Sequence, residues 1–278
     1  MVRKKAAFGA FIFWLLGALF LCACENQASG EENETEIQLV YINYAEAPLE
    51  MARLWERTDI EDLEEPGEDA RRINLDEKEA PLILTEGGEY VLSGTLNGQI
   101  LLEADEDTQF HLFLSDVQVK ASHGPALWGK GIGKLVLTAL QGSENLLEDS
   151  ETRWGEEPSA AVYAPAELTV NGTGSLRVAA HYRDGLRTKG LMKVLDAGLE
   201  VSAERDGLRG NEGVYLENCA VMVASGQNGL LSETGRDMAF KNVSLDITAG
   251  TYGIWPGGMV YAEELDASIN AAAGVSPR

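Results

Sequence analysis

Asp184-Gly185-Leu186-Arg187, Asp206-Gly207-Leu208-Arg209, Asn228-Gly229-Leu230-Leu231 and Tyr252-Gly253-Ile254-Trp255 are four versions of one tetrapeptide. The first three begin 22 residues apart, and the fourth follows after 24. A period of this size, carried by short β-type runs, predicts a solenoid in which each repeat is one coil. Alternation along a strand sends the Leu or Ile of each tetrapeptide inward and the residue after it outward.

The flanking sequence has the same texture. Short runs such as Tyr90-Val91-Leu92-Ser93, His111-Leu112-Phe113-Leu114, Lys134-Leu135-Val136-Leu137, Leu199-Glu200-Val201-Ser202 and Val243-Ser244-Leu245-Asp246-Ile247 are separated by Gly, Asn and Asp. Most span four or five residues and alternate in polarity, as half-buried strands do. No long stretch carries helical periodicity. The prediction is an all-β chain folded as a right-handed parallel β-helix. A sandwich has no reason to return one pattern at each step, whereas stacked coils must. Leu127, Val162, Leu186, Leu208, Leu230 and Ile254 are then one interior row. Residues 141–158, rich in Glu and Asp and containing Trp154, are expected to leave the register as a projecting loop.

The N-terminus has a different character. Arg3, Lys4 and Lys5 precede a 16-residue apolar stretch, Ala6 to Leu21, too short and wrongly flanked for a spanning helix. Leu21-Cys22-Ala23-Cys24 then matches a bacterial lipoprotein signal, with Cys24 the lipidated residue. Cys22 is the weaker candidate because bulky Leu21 precedes it. An ordinary cleaved signal is the plainer alternative. The expected division is residues 1–23 signal peptide, 24–72 acidic tether and N-terminal cap, and 73–278 β-helix. The cap is expected to close the first coil, since solenoid ends need covering. With Cys24 lipidated, Cys219 is the sole mature thiol. It lies in a strand pattern and is expected to be a small core residue.

The 278 residues carry a formal net charge of −23, which excludes nucleic acid and anionic lipid as electrostatic partners. The same excess of carboxylates makes Ca²⁺ the natural cation to expect. No HExxH, GxSxG or phosphate-binding loop is present. His111, His123 and His181 are scattered without metal-ligand spacing.

Gly87-Gly88-Glu89-Tyr90-Val91-Leu92-Ser93-Gly94-Thr95-Leu96, Leu168-Thr169-Val170-Asn171-Gly172-Thr173-Gly174-Ser175-Leu176 and the first two tetrapeptides form an ordered series. Over residues of about 75 to 270 the chain resembles the bacterial exported β-helix proteins described as cellulose- and pectin-binding. The resemblance implies a pectate-lyase-like fold, a polysaccharide ligand and bound Ca²⁺. Asn228 departs from it where an Asp is usual, and Leu231 where a basic residue is usual.

Two columns follow from the register. The outward one is Trp128, Tyr163, Arg187, Arg209, Leu231 and Trp255. Aromatic faces stack on pyranose rings, and Arg forks meet hydroxyls or uronate carboxylates. The alternative is a surface ladder that only shields the coils. Tyr182, Trp154 and Tyr252 are lesser sugar-binding candidates. The second column is Asp184, Asp206 and Asn228, one before each Gly. These residues are expected either to share calcium or to cap backbone groups at the bend, with Arg187 and Arg209 able to balance the charge without metal.

The expected function is binding of plant cell-wall polysaccharide, cellulose or polygalacturonate-like, by a monomeric lipoprotein on the extracellular face of the cell membrane. The alternative is a pectate-type lyase, with Arg187, Lys189 or Arg209 as base. That alternative is weakened by how strongly arginine holds its proton. A third possibility is a structural surface protein with no glycan ligand.

Overall fold

The computed structural model describes residues 56–276. Every strand pairing among them is parallel, and the strands join into one continuous sheet. That sheet winds into a parallel β-helix of about nine coils, each with three sides.

Side A includes Arg71–Asn74, Lys134–Ala139, Glu167–Asn171 and Leu191–Leu195. Side B includes Glu144–Glu148, Ser175–Ala180 and Gly198–Ala203. Side C is built from Leu82–Leu84, Ile100–Glu103, Leu127–Lys130, Ala160–Ala164, Asp184–Thr188, Leu208–Gly210 and Asn228–Ser232. The last two strands, Met238–Trp255 and Val260–Val275, run round all three sides without a break. Such long strands depart from the four- or five-residue runs expected. Pairing resumes directly past each corner, skipping Asn242 and Glu264 at the A–B corner and shifting register between Ala249 and Tyr252.

Alternation fills the interior with rows. On side C the row is Leu82, Ile100, Leu127, Val162, Leu186, Leu208, Leu230, Ile254 and Val275, each paired with the next. The six predicted members are all essentially inaccessible to solvent. Side B contributes Val119, Leu147, Val178, Val201, Val223 and Ile247 in register. Each fully buried aliphatic side chain stabilises the fold by roughly 1.5–3 kcal/mol. Cys219 sits in this core as expected, and burial pushes its thiol up to about 12.

The A–B corner turns on residues with left-handed backbone: Asp116, Asp196, Asn218, Asn242 and Glu264 have φ of 56, 50, 51, 52 and 54°. Asp and Asn tolerate this region better than other non-glycine residues. Asn218 Nδ2 donates to Asp196 Oδ1 at 3.0 Å and Asn242 Nδ2 to Asn218 Oδ1 at 3.0 Å, a corner ladder.

Two expectations change. Residues 141–158 do not leave the register as a whole. Glu144–Glu148 pairs with Gln118–Lys120 below and with Ser175–Ala179 above, so only the stretch from 149 to 159 projects. Of the expected cap, Arg71 and Arg72 join the sheet beside Tyr90 and Val91, but residues 56–62 do not lie over the first coil. Residues 56–62, containing a 3-10 turn at Asp59–Glu61, cross the outside of side A. The expected signal peptide, Cys24 and most of the tether lie outside the described residues.

Glu61 fastens this strap. Its carboxylate accepts from Thr169 Oγ1 at 2.6 Å and Thr58 N at 2.8 Å, and lies 3.1 Å from both Lys134 Nζ and Lys193 Nζ. Asn171 Nδ2 donates to the Glu61 carbonyl at 2.7 Å. On the Lys193 coil and the one after it, Arg57 meets Asp196 at 2.6 Å and Glu217 at 2.8 Å. Burial by itself would raise the Glu61 carboxyl. The Thr169 hydroxyl and the two ammonium groups outweigh it and hold the group at about 2, against 4.5 ordinarily. Burial also pushes His111 down to about 4 from 6.5.

Both shifts act in one direction on acidification, because the unfolded chain takes up each proton first. The His111 contribution is lost as pH falls from about 6.5 to about 4, and that of Glu61 as pH falls from about 4.5 to about 2. Urea titrations across this range should show a steady fall in unfolding free energy, with the Glu61 part on the order of 3 kcal/mol. Glu61→Gln should flatten the lower window. A wild-type curve level between pH 4.5 and pH 2 would contradict the assignment.

Candidate functional site

Side C carries the repeated tetrapeptide, and its register aligns the side chains. Leu101, Trp128, Tyr163, Arg187, Arg209, Leu231 and Trp255 are successive partners on the outer surface. From Trp128 to Trp255 the row takes five coil steps, about 24 Å. It is aromatic at both ends and cationic in the middle.

The aromatic groups are not equivalent. Trp255 is 42% exposed and stands edge-on to Tyr252, with ring centroids 5.1 Å apart. Tyr163 is half-buried. Trp128 is also half-buried, and one face is covered by Lys130, whose Nζ is 4.6 Å from the ring centroid and 2.6 Å from Glu103 Oε1. Along the B–C corner, Trp154 is 64% exposed and stacks on His123 at 3.9 Å, and the Arg153 guanidinium lies 4.5 Å over Tyr182. Arg153 is itself locked against the buried Asp149 carboxylate. These lesser candidates therefore border the main row on the side where the chain enters it.

Asp184, Asp206 and Asn228 do stack, and all three are buried, at 0, 2 and 4% exposure. The Asp184 and Asp206 oxygens are already engaged, while Asn228 Oδ1 is buried without a hydrogen-bond partner among the described residues. Arg205, which the spacing argument passed over, forks Asp184 through Nε and Nη2, both at 2.6 Å, and its Nε is 3.2 Å from Asp206 Oδ2. Arg187 Nη1 is 3.8 Å from Asp184 and donates to Ser159 Oγ at 3.2 Å. Arg209 Nη1 is 3.6 Å from Asp206, while its Nη2 pairs with Glu233. Asn228 Nδ2 donates to Asp206 Oδ1 at 2.7 Å. Burial pushes the Asp184 carboxyl up and the Arg205 fork pulls it back. Burial, then the neighbouring Arg209 charge, pushes Arg187 down.

A calcium ion wants six to eight oxygen ligands. This column offers two carboxylates and one amide, with both oxygens of Asp184 spent on Arg205. Among the described residues no group of three or more His, Cys, Asp and Glu gathers in a metal-holding geometry. The column does not fit the ion, and of the two readings the arginine-balanced ladder matches the geometry. Asn228 belongs to it as a donor that needs no cation.

A groove of about 510 Å³ opens at the A–B corner between the ladder residues Asp196, Asn218 and Asn242 and side-B residues such as Ser244 and Asp266. It offers no aromatic face, and its corner amides bond one another. Side C is the better site because ring-stacking surface is found there.

Comparisons with known proteins give a shared fold and a family. A solved structure of a polysaccharide lyase-like protein from C. thermocellum, a gadolinium derivative, superposes with a TM-score of 0.61 at 20% identity, covering 74% of this chain and 95% of that one. It shares the fold. A carbohydrate-binding domain-containing protein of Acetivibrio thermocellus is 28% identical over 137 residues, which is 47% of this chain and 47% of that protein, so the match spans about half the relative's length. The model of the same family matches residues 78–273, nearly the whole β-helix, and the chain belongs to the carbohydrate-binding domain-containing family.

Proposed function

We propose that side C is a non-catalytic binding face for plant cell-wall-type polysaccharide, displayed by a lipoprotein on the outer face of the cell membrane. The observation that carries the binding face is the single solvent-facing row from Trp128 to Trp255, with rings and guanidinium forks on successive coils. A glycan laid along the coil axis meets one side chain per rung. Membership of a carbohydrate-binding family supports the ligand class. The anchor rests on Leu21-Cys22-Ala23-Cys24.

The lyase alternative has weaker support. Elimination needs a group free to take the C5 proton; Arg187 and Arg209 both face carboxylates, and Lys189 stands exposed past the end of the Asp184–Thr188 strand, outside the row. Unsaturated product accumulating from pectate would overturn the non-catalytic reading.

Trp255→Ala should weaken retention on an insoluble glycan panel about tenfold, the loss of one exposed aromatic anchor. Trp128→Ala should cost only a few-fold, because Lys130 already occupies one ring face. Depletion assays on cellulose and pectate measure both. Unchanged retention in the Trp255 variant would remove the row from the site.

A further inference from the structure

The cations along the side-C row and beside it each face a carboxylate. Lys130 is paired with Glu103, Arg205 with Asp184 and Asp206, Arg187 lies against Asp184, and Arg209 against Asp206 and Glu233. Four cationic side chains thus face four carboxylates. Asp184 and Asp206 lie at the base of the face and are sealed from solvent. Glu233 is different, since its side chain is 44% exposed and it holds the outer end of the Arg209 fork, whose own side chain is 18% exposed.

We infer that this face takes an uncharged polysaccharide and rejects a polyuronate, and that Glu233 sets the preference by holding Arg209. The inference rests on side C being the glycan face. A polyuronate brings a carboxylate on every sugar and is held by unspent guanidinium or ammonium groups, preferably through two parallel hydrogen bonds. Here an incoming carboxylate would meet Glu233 before it met Arg209, and the chain's charge of −23 opposes its approach. An uncharged glycan meets no such repulsion. It stacks on Trp255 and Tyr163, slides over Leu231, and exchanges hydroxyl hydrogen bonds with both members of the two solvent-reaching pairs, Arg209–Glu233 and Lys130–Glu103. Paired Arg and Glu offer donors and acceptors together, which suits hydroxyls and not carboxylates.

The test uses the full chain in chelator-containing buffer with neutral detergent, with hydroxyethylcellulose and polygalacturonate as probes in affinity electrophoresis at low and high salt. Wild type should be retarded by hydroxyethylcellulose independently of salt and pass through polygalacturonate. Glu233→Gln frees the Arg209 fork. It should raise the ratio of polygalacturonate to hydroxyethylcellulose retention about tenfold at low salt, the gain of one charge-assisted pair. That gain should vanish at high salt. Salt-sensitive retention of wild type by polygalacturonate, as strong as by hydroxyethylcellulose, would sink the inference while leaving the glycan face standing. An unchanged ratio in a Glu233→Gln protein of wild-type Tm would also sink it. Retention of folded wild type by neither polymer would overturn the glycan face, and this inference with it.

Discussion

Glu61→Ala should destabilise the protein by about 3–5 kcal/mol, the range for removing one partner of a buried ion pair. Lys134 and Lys193 are each only 5% exposed in their side chains, and Glu61 is the carboxylate within 3.1 Å of both. Its loss leaves two ammonium groups in the wall of side A, with Lys134 retaining Glu167 at 3.3 Å and Lys193 retaining the Glu56 carbonyl. The Thr169 hydroxyl and the Thr58 amide lose their acceptor as well. For a domain of this size such a cost lowers Tm by on the order of 10 °C. Urea unfolding of wild type, Glu61→Ala and Glu61→Ala/Lys193→Met gives the coupling directly, and the double variant should recover part of the loss. A single-variant cost below about 1 kcal/mol would show that the lysines reach water when the strap lifts, and that residues 56–62 are not fastened to the coils.

This strap marks where sequence reading stopped. The tetrapeptide spacing was enough to set Leu186, Leu208, Leu230 and Ile254 in one row and Arg187, Arg209, Leu231 and Trp255 in another, because a parallel coil preserves register from rung to rung. The same steps of 22 and 24 recur in Asp196, Asn218 and Asn242, so the A–B corner ladder was also legible, though its signal is carried by turn residues. Glu61 left no such trace. It stands in an acidic run, and its partners Lys134, Thr169 and Lys193 lie 73 to 132 residues away along the chain, on three separate coils. Arg205 escaped for a subtler reason. It precedes Asp206, where alternation argues only about the residue after each Leu. A corner side chain can fold back along the coil axis and fork the carboxylate of the coil before it. Alternation predicts which way a strand residue points, but it does not say where a corner residue reaches. At that same corner Arg205 uses both Asp184 oxygens, which leaves the column short of the ligands calcium needs.

Gly207→Ala tests why glycine occupies the second place of all four tetrapeptides. A Cβ on Gly207 would sit 2.3 Å from Val223 Cγ1 and 2.6 Å from the Gly229 carbonyl oxygen of the next coil. Gly185 meets Val201 and the Gly207 carbonyl at the same distances, and Gly229 and Gly253 meet Ile247 and Ile269 likewise. Here the B and C sides converge, and the β-branched row of side B fills the space a methyl group would need. The Val223 side chain has little freedom to turn aside, being stiff about its own Cα–Cβ bond, and the carbonyl belongs to the ladder. The methyl can be accommodated only by spreading two coils, which costs about 3 kcal/mol, at the upper end for overpacking a well-filled interior. The substitution should also loosen the Arg187–Arg209 stretch of the binding face, because both arginines ride on these coils. Gly198→Ala is the matched control. It lies at the start of a side-B strand, meets nothing within 4 Å and needs no unusual backbone angle, so it should leave stability unchanged or raise it by about 0.5 kcal/mol. Equal unfolding midpoints for the two variants would mean that the coils part more easily than their carbonyl contacts imply, and that the repeated glycine answers some need other than close approach.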